Sequence, residues 1–243
     1  MEETLQALRD ALQQAKSVAV LTGAGISAES GIPTFRGAGG LWRNYSPHEL
    51  ATPEAFARDP RLVWEWYDWR RGIIAKAQPN PGHLALVELE RRVASGRGSF
   101  TLVTQNVDGL HERAGSRNIA KLHGDIWCVR CVTCGREERN EQVPLADLPP
   151  HCSCGGLLRP GVVWFGEPLP PEEWRRAVEA SKSAKVFLAV GTSAVVYPAA
   201  GLIEAAKEAG ARLAVVNAEP TPFDADADWI LQGRAGEILP RLL

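Results

Sequence analysis

An apolar run, Ser17-Val18-Ala19-Val20-Leu21-Thr22, empties directly into Gly23-Ala24-Gly25-Ile26-Ser27, and the same device returns down the chain. Residues 100–103 lead into Thr104-Gln105-Asn106-Val107-Asp108-Gly109-Leu110-His111, residues 185–190 into Gly191-Thr192-Ser193, and residues 212–217 form another such strand. Between the runs, helical patterns are predicted over 3–15 (Leu5, Leu8 and Leu12 on one face), 61–77, 83–93, 171–181, 198–209 and 235–242. Continuous apolar strands alternating with helices predict a parallel sheet covered on both faces. Two stretches, 37–81 and 124–159, break the alternation and read as insertions forming a smaller second domain. Residues 1–36, 82–123 and 160–243 make up the larger one.

Glycines placed directly after a strand let backbone N–H groups approach a phosphate, and the helix that follows favours its charge. A polar Gln-Asn-x-Asp cluster after a second strand falls where open α/β sheets hold ligands. The chain is therefore expected to be α/β, a Rossmann-like doubly wound parallel sheet that binds a nucleotide. The glycine run by itself also allows a tight turn with no ligand. Ala28 stands where a third fingerprint glycine would be, and no Walker lysine follows.

Composition narrows the partners. The 243 residues are 45% hydrophobic with a net charge of −2, enough for a large core and poorly suited to a nucleic-acid backbone as main partner. No run approaches the roughly twenty apolar residues of a membrane span, and the acidic, amphipathic N-terminus does not read as a signal peptide. A cytoplasmic, reducing setting is expected, where five cysteines point to metal or free thiols rather than disulfides.

Cys131-Val132-Thr133-Cys134-Gly135 and Cys152-Ser153-Cys154-Gly155-Gly156 offer four thiolates in two close pairs, each followed by a turn glycine. Four protein ligands suit tetrahedral Zn²⁺ and leave no open position, so the metal is expected to be structural. Cys128 is a fifth candidate, since Cys128 and Cys131 also have ligand spacing; the turn glycine favours the 131/134 pair.

The ordered set of motifs resembles the sirtuins, NAD-dependent protein-lysine deacylases. It runs from Gly23-Ala24-Gly25-Ile26-Ser27 through Ile32-Pro33-Thr34-Phe35-Arg36, Thr104 to His111 and Leu122-His123-Gly124. The cysteine pairs, Val162-Val163-Trp164-Phe165-Gly166-Glu167, Gly191-Thr192-Ser193 and Val216-Asn217 complete it. Glu65-Trp66-Tyr67-Asp68-Trp69-Arg70-Arg71 and Gly37 to Trp42 further resemble the class that removes succinyl and malonyl groups. There Tyr67 and Arg70 would read the acyl carboxylate and Ala38 would make room for it. The physics agrees: residues at i and i+3 share a helix face, and arginine forks onto a carboxylate.

The resemblance implies that NAD is consumed as a cosubstrate and that the protein partners are acylated lysine side chains. No membrane, direct nucleic-acid contact or oligomer is required. The acyl oxygen would attack C1′ of the nicotinamide ribose, nicotinamide would leave, and His123, the base, would activate a ribose hydroxyl; free lysine and an O-acyl-ADP-ribose result. Gly23, Ala24, Gly25 and Ser27 would cradle phosphates with Gly191, Thr192 and Ser193. Gln105, Asn106, Val107 and Asp108 would hold the nicotinamide carboxamide and ribose. Phe35 would cover the sugar, with Arg36 and Trp42 beside it. Asn217, Ala218 and Glu219 would meet the adenosine ribose, and the backbone at Ala235 the adenine. Val162, Val163, Trp164 and Phe165 would pair with the substrate backbone as an added strand. His48, His83, His111 and His151 are expected to be structural or exposed. Two rival readings are a mono-ADP-ribosyltransferase using the same NAD site and a non-enzymatic zinc-ribbon adaptor.

Overall fold

The computed structural model describes residues 1–35 and 46–243; Arg36, Ala38 and Trp42 lie outside the described residues. The helices are α1 (Glu2–Gln14), α2 (Gly25–Ala28), α3 (Pro47–Leu50), α4 (Pro53–Arg58), α5 (Pro60–Lys76), α6 (Pro81–Ser95), α7 (Leu110–Ala114), α8 (Pro171–Ser183), α9 (Gly201–Glu208) and α10 (Ala235–Ile238). The strands are β1 (Ser17–Thr22), β2 (Ser99–Thr104), β3 (Ile119–Lys121), β4 (Gly124–Cys131), β5 (Glu137–Arg139), β6 (Leu158–Val162), β7 (Val186–Val190), β8 (Arg212–Asn217) and β9 (Trp229–Gln232).

Six strands form one parallel sheet in the order β3-β2-β1-β7-β8-β9. The chain thus winds outward from β1 to one side, returns, and winds to the other, the doubly wound order whose switch point is the standard ligand crevice. Alternate residues of β1 feed opposite cores. Val18 and Val20 pack with Leu5, Leu8, Leu12, Leu86 and Leu89 of α1 and α6, while Ala19 and Leu21 pack with Leu202, Ile203 and Ala206 of α9. Both faces being covered is why the strand reads as one unbroken apolar run.

Both excursions leave from the carboxyl edge of this sheet. One follows β1 and holds α3 to α5; the other follows β3 and forms a second, antiparallel sheet in the order β5-β4-β6. The strand β6 continues to Val162, past the expected domain boundary after residue 159. Leu50, Phe56, Val63, Trp64, Trp66 and Tyr67 share one core with Ile126, Val129, Leu158 and Trp164, so the two excursions pack as a unit over the sheet edge.

Helix α5 joins them. Asp59 caps it, accepting from Leu62 N at 2.9 Å, and Pro60 opens its first turn, where a missing N–H costs nothing. Its buried face is tied to the second excursion. Trp64 Nε1 donates to Leu158 O at 2.7 Å, and Asp68 Oδ1 accepts from Leu145 N at 2.9 Å. Arg71 Nη2 donates to Asn140 Oδ1 at 2.6 Å and Gln142 O at 3.1 Å.

The chain end departs from expectation. The helix expected over 235–242 stops at Ile238 and tightens into a 3₁₀ turn over Leu239–Leu242. Pro240 has no N–H for the α-helical ladder and forces the change.

Candidate active site

The floor of the site is the turn after β1. Gly23 N donates to Val190 O at 3.1 Å and Gly25 N to Gly191 O at 2.7 Å, drawing the turn against the loop after β7. A Cβ on Gly25 would stand 2.7 Å from Gly191 O, closer than any side chain tolerates. These glycines thus serve backbone contact between the loops after β1 and β7.

Around that turn, Ala24, Ser27, Ile32, Pro33, Phe35, Arg70, Ile74, Asn106, Val107 and Asp108 line a small cavity. Seven of the residues expected at the site meet there: Ala24, Ser27, Phe35, Arg70, Asn106, Val107 and Asp108. His123 stands at the adjoining strand end, its Nδ1 3.0 Å from the carbonyl of Gln105, the residue before Asn106. Gln105 Nε2 donates to Thr192 Oγ1 at 3.1 Å, which ties the loops after β2 and β7 together across the turn. Asn217, Ala218, Glu219 and Ala235 lie further along the same edge, outside the cavity lining. There Asn217 Nδ2 donates to Glu219 O at 2.7 Å and Gln232 Nε2 to Ala218 O at 3.3 Å.

The polar groups form a directed chain. Asn80 N donates to His83 Nδ1 at 3.3 Å, so the proton of this imidazole must sit on Nε2, 3.4 Å from Ser27 Oγ. Ser27 Oγ in turn donates to Asp108 Oδ2 at 2.8 Å, and Leu110 N to Asp108 Oδ1 at 2.8 Å. Asn106 spends its amide hydrogens inward, on Gly23 O at 3.0 Å and Ser27 Oγ at 3.3 Å, which leaves its carbonyl oxygen to accept from a ligand amide. Burial raises the Asp108 carboxyl while the bonds from Leu110 and Ser27 hold it down. Burial also pushes His83 down to about 4 and His111 well below the ordinary histidine value. His123 is lowered by burial, opposed by its bond to the Gln105 carbonyl.

Two of the histidines expected to be structural or exposed, His83 and His111, are buried beneath the site. Their ring centroids are 4.9 Å apart, and His111 Nε2 lies 3.0 Å from Thr22 Oγ1. The available signal was Asn80-Pro81-Gly82-His83, an asparagine cap whose third helical residue reaches back to the cap's N–H. His48 and His151 are exposed, as expected.

Arg70 is 5% exposed and stacked among aromatics, its guanidinium carbon 5.0 Å from the Phe35 ring, 4.7 Å from Trp66 and 5.4 Å from Tyr67. Its Nε has no hydrogen-bond partner, and it forms no ion pair among the described residues. A buried cation with an unused donor facing a cavity fits an anionic ligand group. Burial lowers the Arg70 value, opposed by Tyr67 and Asp108. Tyr67, 2% exposed, lies behind Arg70; burial raises its phenol and Arg70 opposes the shift, so it stays neutral near pH 7.

The segment expected to add a strand is not a free edge. Val163 N donates to His123 O at 2.9 Å, Trp164 N to Glu167 Oε2 at 2.8 Å and Phe165 N to Ala51 O at 2.9 Å. With those amides used internally, pairing to a peptide by residues 162–165 would rely on carbonyl oxygens such as those of Val163 and Phe165.

The sulfur atoms of Cys131, Cys134, Cys152 and Cys154 all lie within 4.8 Å of one another, with Cys131–Cys154 at 3.5 Å and Cys134–Cys152 at 3.9 Å. A tetrahedron with Zn–S bonds of ~2.3 Å has edges of about 3.8 Å, so the set fits structural zinc. Backbone N–H groups of Cys134 and Thr133 hold the Cys131 thiol down to about 6, toward the thiolate a metal needs. Cys128 is not in the cluster, and burial pushes its thiol up. Metal analysis of purified protein is expected to find about one zinc per chain; Cys152→Ser is expected to lose it and to unfold at lower temperature. Full zinc content in that variant would refute this ligand set.

Among the described residues no helix is long and apolar enough to cross a membrane. A family model described as "Sir2 family" matches residues 23–198. The chain is 59% identical over 235 residues, 96% of its length and 92% of the relative's, to NAD-dependent protein deacylase 2 of Pyrobaculum aerophilum. It is similar to a Sir2 homolog solved as an NAD complex, with TM-score 0.91 and 49% identity over 98% of this chain and 91% of that one. It is also similar to Sir2Af2 bound to a myristoylated histone peptide, with TM-score 0.80 and 37% identity over 100% and 95% of the two chains.

Proposed function

This chain belongs to the Sir2 family and is an NAD-dependent protein deacylase, and we propose that it favours lysine acyl groups ending in a carboxylate, succinyl and malonyl, over acetyl. One observation carries the acyl preference. Arg70 is buried, faces the cavity that holds Ser27, Asn106 and Asp108, and has no carboxylate partner among the described residues. A desolvated guanidinium is costly unless an anion meets it, and the far end of a dicarboxylic acyl group supplies one.

When bound, NAD supplies the ADP-ribosyl group that takes the acyl group from lysine as nicotinamide leaves. The chain's own residues prepare this. In the turn from Gly23 to Ser27 the N–H groups of Gly23, Gly25, Ile26 and Ser27 are spent on Val190 O, Gly191 O, Gly23 O and Ala24 O, which leaves the Ala24 N–H to meet a phosphate at the switch point of the sheet. The Asn106 carbonyl oxygen would accept from the nicotinamide carboxamide, and Asp108, held by Ser27 and Leu110, would hold the ribose side. His123 is neutral near pH 7 because burial lowers it, so it can take a proton from a ribose hydroxyl while Gln105 O holds Nδ1. Since Nδ1 donates to that carbonyl, the free Nε2 is the basic atom. Phe35, lying on Arg70, covers the sugar and excludes water. The Sir2Af2 structure with an acylated histone peptide supports a modified lysine of a protein as the acyl donor.

The test is a side-by-side assay of acetyl-, succinyl- and malonyl-lysine peptides with NAD, followed by nicotinamide release and mass spectrometry of the ADP-ribose product. Succinyl and malonyl peptides are expected to exceed the acetyl peptide about tenfold or more in kcat/KM, the worth of one charge-assisted hydrogen bond. Equal efficiency would remove the acyl preference. Gain of ADP-ribose on an acceptor protein without deacylation would replace the reading with ADP-ribosyl transfer.

A further inference from the structure

We propose that Trp164 is a positioning residue for acyl selection: its indole N–H, donated to the Tyr67 oxygen, turns the phenol's own proton toward the carboxylate of the acyl group. The inference rests on the acidic-acyl reading above.

The direction of the bond carries the argument. Trp164 Nε1 lies 3.0 Å from Tyr67 Oη, and both side chains are buried. An indole nitrogen only donates, so the phenol oxygen must accept. A phenol proton prefers the ring plane and has two orientations there. Trp164 occupies one side with a donor, so the proton is left the other. Among the described residues Tyr67 has no second hydrogen-bond partner, so this proton remains available to a ligand. Arg70 stands one helical turn further along α5 with its unpartnered Nε. The Arg70 guanidinium carbon is 5.4 Å from the Tyr67 ring, so two unused donors three residues apart on one helix would serve a single carboxylate.

The indole itself is clamped. The Arg159 guanidinium carbon lies 3.5 Å from its ring centroid, and Phe56 packs at 5.3 Å. Glu167 pairs with Arg159, its Oε2 accepting from Arg159 Nη2 at 2.8 Å, and the same oxygen accepts from Trp164 N at 2.8 Å. Arg159 Nη2 also donates to Val162 O at 3.0 Å. A cation over the indole face withdraws electron density and makes its N–H a better donor. The ring is thus fixed from its backbone and its face, which is more than filling a core requires.

The experiment is a double-mutant cycle read as the ratio of kcat/KM for succinyl-lysine over acetyl-lysine peptide. Trp164→Phe and Tyr67→Phe are each expected to lower the ratio about tenfold, near the lower worth of a hydrogen bond to a charged group. In Tyr67→Phe protein, adding Trp164→Phe is expected to change the ratio by less than about twofold, because the group acted upon is gone. Should Trp164→Phe fold poorly, Trp164→benzothienylalanine keeps the ring shape and replaces only the N–H with sulfur; the same loss is expected. An unchanged ratio in that isosteric variant, or losses that multiply in the double variant, would overturn the role of Trp164. If instead Tyr67→Phe and Arg70→Met both leave the ratio unchanged, the acidic-acyl reading falls and this inference falls with it.

Discussion

Replacing His123 with alanine is expected to lower deacylation of succinyl- and acetyl-lysine peptides alike, by about 10²–10⁴-fold, the usual contribution of a positioned general base. The imidazole is held at Nδ1 by the Gln105 carbonyl, 3.0 Å away, and its remaining nitrogen is the one basic atom it presents. The pH dependence follows from its environment. Burial favours the neutral ring, so its value lies below the ordinary 6.5 despite the carbonyl bond. A base works deprotonated, so kcat/KM should be flat through neutral pH and fall as pH drops through a midpoint below 6.5. In His123→Ala the acid limb should vanish with the activity. Rate measurements from pH 5 to 9 with both peptides decide the matter; a variant retaining more than a tenth of wild-type turnover would remove His123 from the role.

Replacing Arg70 with methionine is expected to separate the acyl activities. Methionine keeps most of the stem that packs on Phe35, Trp66 and Tyr67 and removes the charge. A hydrogen bond to a charged group contributes about 1.5–3 kcal/mol, so desuccinylation should fall roughly 10- to 150-fold. The acetyl group has no carboxylate to lose, and its hydrolysis should change no more than about threefold. The stability effect is expected to be small or favourable, because a buried cation without a partner is exchanged for an apolar side chain. Equal losses on both peptides would sink the acyl assignment, since that pattern marks damage to the shared chemistry.

Legibility in the sequence followed physical scale. Strands β1, β2, β7 and β8 were readable because burial on both faces removes polar residues from them. The three-residue β3 was not, because so short an edge strand carries too few positions for a pattern. The two cysteine pairs were readable because four thiolates at those spacings match a tetrahedral metal site. The mutual approach of their sulfur atoms needed the structure, as did the separation of Cys128. Asn106 and Asp108 stood out as polar residues at a strand end. His83 did not, because its place depends on a helix cap and on Ser27, far away in sequence. The amides of Val163 and Phe165 are spent on His123 O and Ala51 O, long-range partners that no local pattern reveals. Tyr67 and Arg70 were visible only through the resemblance, since a helix with i, i+3 polar residues is ordinarily solvated. Their burial is what distinguishes them.

Helix α5 presents Tyr67 and Arg70 on one side and, a single residue further along, Asp68 and Arg71 to the neighbouring excursion. On the proposed reading, acyl selection and scaffold are therefore interleaved in one short stretch. A lineage could retune which modification it erases by exchanging the first two positions while the second two keep the frame standing.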